Sequence, residues 1–188
     1  AAARAQREAW NRTAFFGDAV NGLPGWLTNA NVPSAPVAAG AATTTPWTTK
    51  TADEILKDMN DAANGIVDLT NGAEIPDTLV LPIEQYSLIA STPRSTTSDT
   101  TILDYFLKNN PHITSVEWAN ELKGAFTGGA DGFIVYRKDP DTIEFEMPQP
   151  FEVLPVQEKG LEYIVNCHSR IAGTIVRYPL SQRFAYGI

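Results

Sequence analysis

Between Gly17 and Thr49 the chain carries four glycines, four prolines and many small or hydroxyl residues, with no helical or strand period running through it. A structureless stretch longer than about 12–15 residues is uncommon inside a compact domain, where it marks either disorder or a segment docked on something else. Disordered segments are poor in apolar residues, yet this one has Leu23, Trp26, Leu27, Val32, Val37 and Trp47 spaced along it. The pattern predicts a docked strap anchored at those side chains rather than a floppy connector. Ahead of it, Glu8 to Phe16 reads as a polar-aromatic helix that breaks at Gly17-Asp18.

A chain of 188 residues makes one domain or two small lobes sharing a core. Folding at this size buries about 70% of the unfolded surface, so no staple is required. The single cysteine, Cys167, excludes an intrachain disulfide and a Cys-only zinc site, and fits a reducing compartment. No run approaches the roughly 18 apolar residues of a membrane span, and the Ala-rich start lacks the layout of a secretory signal, so a soluble protein is expected. Met59 and Met147 are the only methionines, which leads to the expectation that the N-terminus is processed and that Ala1 sits within a longer helix. A net charge of −8 argues against tight binding to nucleic acid, because phosphate neutralisation supplies most such affinity.

Thr51-Ala52-Asp53-Glu54 has the form of a capping box, and behind it Ile55, Met59, Ala62, Ile66 and Leu69 recur at steps of four and three. The spacing predicts a helix that stops at Asn71-Gly72. Thr78 to Leu81 reads as a strand, with Pro82 in the first turn of a helix carrying Ile83, Tyr86 and Ile89. Thr92 to Ser98 reads as an exposed loop. Asp99 is placed as the cap of a third helix with Ile102, Leu103, Phe106 and Leu107 inside, ended by Asn110-Pro111. From there the period becomes two. Strands are expected over 113–118, 132–137, 143–147, 151–156, 161–167 and 171–178, with Asp139-Pro140-Asp141 as a turn. Helices with interspersed strands followed by strands alone make the fold class α+β.

Few residues suggest chemistry. Cys167 and His168 are adjacent in an expected strand, so their side chains point to opposite faces and form no dyad. His112 is expected at a helix end or in a turn. The segment Gly124 to Gly132 lacks the Gly-Lys-Ser/Thr of a phosphate loop and is expected to be a hairpin-like loop. Glu54, Asp58 and Asp61 share a helical face, but Lys57 between them predicts a solvated, charge-laced surface rather than a cation site. Asp139 and Asp141 lack the further ligands of a calcium loop. The sequence thus offers no catalytic residue, no metal ligand set and no cofactor motif.

Phe15-Phe16-Gly17-Asp18 followed by Asn21-Gly22-Leu23-Pro24-Gly25-Trp26-Leu27 resembles the spine-helix exit of tailed-phage and prophage major capsid proteins of the Hong Kong 97 type. Gly132 to Pro140, and the tail from Pro155 through Gly160-Leu161 and Pro179 to Gly187-Ile188, are similar to one phage and prophage branch of that family. Trp26 departs from the smaller aliphatic residue usual there.

The resemblance implies a shell subunit without catalytic residues or cofactor, forming hexamers and pentamers of an icosahedral particle around DNA. It implies a virion location after assembly in a bacterial cytoplasm. Scaffold, portal and maturation protease are implied as further partners, and no membrane. It also implies that the chain starts inside the spine helix and lacks the N-terminal arm and extended loop of complete members, so that no crosslinking chemistry carries over. Residues 1–50 would belong to a peripheral lobe, 51–138 to an axial lobe, and 139–188 would return to the peripheral lobe. Phe16, Leu23, Trp26, Leu27 and Trp47 are the candidate subunit or lobe contacts. An encapsulin-like compartment shell and an unrelated hydrolase or ligand-binding domain are the alternatives.

Overall fold

The computed structural model describes residues 2–97 and 99–188. Ala1, read as part of a longer helix, and Ser98, read as the end of a polar loop, lie outside the described residues. The chain divides into two compact units, one of residues 1–29 and 143–177 and the other of 30–142 and 178–188. Strand pairing joins residues 34–36 and 182–186 to the sheet of the second unit.

That sheet has five strands in the order β1 (Ser34–Pro36), β11 (Gln182–Tyr186), β4 (Gly132–Tyr136), β2 (Thr78–Leu81) and β3 (Ser115–Trp118). The pairs β1–β11 and β2–β3 are parallel, and β11–β4 and β4–β2 are antiparallel. Every residue of β2 and β4 is buried, which explains their near-continuous apolar sequences in place of an alternation. One sheet face carries Leu79, Leu81, Phe133, Val135 and Ala185 into the main core. The other buries Val80, Ile134 and Phe184, with Leu122 buried as well and the ring of Phe126 packed edge-on at 5.9 Å from Phe184.

Helix α2 (Ala52–Leu69) supplies Ile55, Met59, Ala62, Ala63 and Ile66 to the main core. Its capping box is formed: Glu54 N donates to Thr51 Oγ1 at 3.4 Å, and Thr51 N donates to Glu54 Oε2 at 2.8 Å. Asn71 and Gly72 at φ 51° and 80° end it, with Gly72 N donating to Val67 O at 2.8 Å. Leu69, expected on the buried stripe, is exposed in the last turn. Thr51→Ala removes one of the two reciprocal bonds and is expected to lower stability by about 1 kcal/mol, read as a shift in the denaturation midpoint; no shift would show that the box is not maintained in solution.

Helix α3 (Ile83–Ser91) begins after Pro82, which stands as its cap rather than in its first turn. Helix α4 (Ile102–Asn109) is capped by Thr101, whose Oγ1 accepts from Asp104 N at 3.2 Å, not by Asp99. The helix thus starts two residues later than an Asp99 cap requires. Between α3 and α4 the chain turns back so that Ile102 N donates to Thr92 O at 3.1 Å, and the Arg94 guanidinium lies 3.9 Å over the Tyr105 ring.

The first unit holds α1 (Ala2–Phe16) and one long folded-back ribbon. The ribbon consists of three antiparallel pairs nested in sequence. β5 (Ile143–Glu146) pairs with β10 (Gly173–Val176), β6 (Gln149–Val153) with β9 (Cys167–Arg170), and β7 (Gln157–Lys159) with β8 (Glu162–Ile164). Gly160 at φ 69° makes the reversal at its tip. The strands expected over 151–156 and 161–167 are each interrupted. Pro155, with no amide hydrogen, falls between β6 and β7, and the pairing register slips by one residue between the two pairs.

Candidate assembly surfaces

The strap is docked, and its two halves dock on different units. Residues 17–27 fold back under the end of α1, where helix carbonyls would otherwise lack partners. Gly17 adopts φ 70°, and its N donates to Thr13 O at 2.8 Å. Trp26 N and Leu27 N then donate to Ala14 O at 2.9 Å and Phe15 O at 2.8 Å. Thr174 of β10 adds its hydroxyl to Ala14 O at 2.7 Å, while its N donates to Pro24 O at 3.0 Å. The Trp26 ring stacks on Phe15 with centroids 5.7 Å apart. Such proximity requires glycine: a Cβ on Gly25 would stand 2.2 Å from Gly17 N and 2.3 Å from Phe16 C. Asp18 closes the turn by accepting from Asn21 Nδ2 at 2.6 Å and from Val20 N at 3.0 Å. These bonds, the Asn21 side chain first, hold its carboxyl below the ordinary value.

Of the five residues expected to make contacts, Leu23, Trp26 and Leu27 are half-buried in this junction and Phe16 is 39% exposed beside it. Trp47 is elsewhere. It is 2% exposed in the core of the second unit, 5.6 Å from the Phe133 ring. Its indole Nε1 donates to Asp58 Oδ2 at 3.0 Å.

Asp58 corrects the reading of the α2 acids. Lys57 and Asp61 do form an exposed pair at 2.5 Å, but Asp58 turns inward and pairs with Lys50 at 2.5 Å, their side chains 5% and 1% exposed. Burial pushes the Asp58 carboxyl above its ordinary value, opposed by the bonds from Lys50 and Trp47. Lys50 comes from the strap, which the helical period of α2 cannot foresee. Beside this pair, a cavity of about 230 Å³ is lined by Pro36, Val37, Asp58, Asp61, Ala62 and Arg183, among others. A second of about 90 Å³ lies by Trp47, Gln85 and Ile188. Neither lining contains His, Cys or Ser. Among the described residues no group of three or more His, Cys, Asp or Glu is placed to hold a metal, and no helix is long and apolar enough to cross a membrane.

The glycine-rich segment 124–132 is not a hairpin, because β2 lies between β3 and β4 in the sheet. It serves as a latch. Asp131 Oδ1 accepts from Gly124 N at 2.7 Å, Oδ2 accepts from Gln85 Nε2 at 3.1 Å, and its carbonyl accepts from Gly187 N at 2.7 Å. Gly132 leaves room for the Phe126 ring, which a Cβ would approach to 2.5 Å. His112 sits in a turn in which Asn110 Oδ1 accepts from His112 N at 2.9 Å. His168 contacts Gln149 and Glu152 on the ribbon, and Cys167 is exposed there.

What remains exposed and apolar is concentrated on that ribbon: Val153, Leu154, Val156, Leu161, Tyr163 and Val165 are 38–102% exposed. A contiguous exposed apolar patch is uncommon on a soluble monomer. The fold of the chain is that of a phage capsid protein. The capsid of Myoviridae phage XM1 matches with a TM-score of 0.81 at 18% identity, over 98% of this chain and 63% of that one. A virus-like particle from Pyrococcus furiosus matches with 0.60 at 11%, over 85% and 58%. A phage-related protein from Bordetella bronchiseptica RB50 matches with 0.56 at 16%, over 93% and 60%. No curated protein sequence matches.

The family model described as major capsid protein matches residues 1–188, and the chain belongs to that family. It spans between 58% and 63% of the length of the three similar structures.

Proposed function

We propose that the chain is a head-shell subunit of a tailed phage or prophage, of the Hong Kong 97 type, assembling into hexamers and pentamers of an icosahedral shell around DNA. The observation that carries this is the capsid family match over the whole chain, together with the likeness to the XM1 capsid over 98% of it. The unit of 30–142 and 178–188 takes the axial role, and the unit of α1 and the ribbon takes the peripheral one. Phe16 and the ribbon offer exposed apolar surface to neighbouring subunits, while Leu23, Trp26 and Leu27 hold the helix exit in shape for them. The subunit contributes no catalysis. Its net charge of −8 suits enclosing DNA without gripping it.

The complete gene product, expressed and examined by electron microscopy and native mass measurement, is expected to give closed particles built from six- and fivefold clusters. A protein that stays monomeric at micromolar concentration overturns the proposal. The weaker likeness to the Pyrococcus furiosus particle motivates the second reading, a compartment shell around protein cargo. Nucleic acid inside particles purified from the phage-bearing host supports the first reading; a single enriched enzyme supports the second.

A further inference from the structure

The distal end of the ribbon is a two-stranded hairpin, a form that is at best marginally stable alone in water. Its register assigns side chains to faces: Glu158 stands opposite Tyr163, and alternation puts Val156 and Val165 on the same side. On that side Val156 is 59%, Tyr163 73% and Val165 48% exposed, and Leu161 at the turn is wholly exposed. Among the described residues Glu158, in the middle of this apolar face, has no ion-pair partner.

The outward side of α1 is its complement. None of the helix's residues is buried, and Arg4, Arg7 and Arg12 are exposed, with Glu8 as the one acid among them. In an acidic chain these three guanidinium groups have no ion-pair partner among the described residues. Arg4 and Arg7 lie one turn apart on one side of the helix. Their alkyl stems can cover apolar side chains while their heads take a carboxylate, and a guanidinium over Tyr163 adds a cation–π contact. The chain's own helix does not use this surface, since both the hairpin face and the arginines remain exposed.

We propose that the Val156–Glu158–Tyr163–Val165 face of one subunit's ribbon docks on α1 of a second copy, with Glu158 received between Arg4 and Arg7. The contact rests on the shell reading, since a closed shell supplies the second copy at short range.

Charge exchange in the complete protein tests it. Glu158→Arg alone, and Arg4→Glu with Arg7→Glu, are each expected to lower particle yield on a gradient about tenfold, the change that 1.4 kcal/mol per contact produces. Far-UV dichroism of the soluble subunit should stay unchanged. Combining all three substitutions is expected to restore the yield to within about threefold of wild type on the same scale. In a separate variant, Arg7→Lys, carbodiimide treatment of mixed-isotope particles is expected to join the introduced amine of one copy to Glu158 of another. Wild-type particles with neither rescue nor link overturn this contact and leave the shell reading standing. A wild-type protein that forms no particles overturns the shell reading and the contact with it.

Discussion

Lys50→Met is expected to destabilise the second unit by about 3–5 kcal/mol at neutral pH, because it leaves the Asp58 carboxylate buried without a counter-charge, with only the hydrogen bond from the Trp47 indole. Removing both partners is expected to be far milder. In Lys50→Met with Asp58→Leu the space is filled by apolar atoms, and replacing a buried pair in this way is often neutral or stabilising. The pH dependence has a definite sign. Burial raises the folded value of Asp58 above the unfolded one, so stability from this group is complete below the unfolded value and is lost as pH rises through the folded value. Losing Lys50 raises the folded value further. The deficit of the single variant should therefore shrink on acidification, and the double variant should show no such slope. Urea denaturation at several pH values measures all three. A Lys50→Met deficit below about 1 kcal/mol, or one that grows toward acid, would mean that the pair is solvated.

Gly25→Ala is expected to cost about 3 kcal/mol or more, for a steric reason. The added Cβ would stand 2.2 Å from one backbone atom and 2.3 Å from another, and no side chain can move to relieve it. The turn must leave the helix end, breaking the bonds from Trp26 N and Leu27 N to α1. Gly22→Ala is the control. Gly22 has φ 66° with open space around its missing Cβ, so only backbone strain of about 1–2 kcal/mol applies. Hydrogen exchange should show the Trp26 and Leu27 amides unprotected in the Gly25 variant and still protected in the Gly22 variant. Equal behaviour of the two would refute the close packing of this turn on Gly17.

The break of α1 at Gly17, the capping box of α2, its end at Asn71-Gly72 and the strands of 78–81 and 132–136 were all legible, because each signal lies within a turn or two of chain. The strap was legible as docked, since its apolar anchors were visible. That Trp47 lies in the core of the second unit was not legible, because nothing local distinguishes a buried tryptophan from an interfacial one. Strand β11 has no strong local signal: Gln182 to Tyr186 alternates weakly, and its partners are β1 and β4, the former about 150 residues away. The loop of 124–132 looked like a hairpin for the same reason, as the strand inserted between β3 and β4 comes from earlier in the chain.

The sequence by itself determined the helices, the capping box of α2, the glycine-marked turns, the α+β class and the likeness to a capsid family, all of which rest on short-range pattern or on motif. Only the tertiary structure decided that the strap serves two units, that Asp58 faces inward to a lysine from that strap, and that 143–176 folds into one nested ribbon. Hydrogen-bond pairing and burial are set by which distant segments meet. An aspartate on an amphipathic helix or a valine in a short strand has the same local signature whether it ends in a core or on an exposed arm.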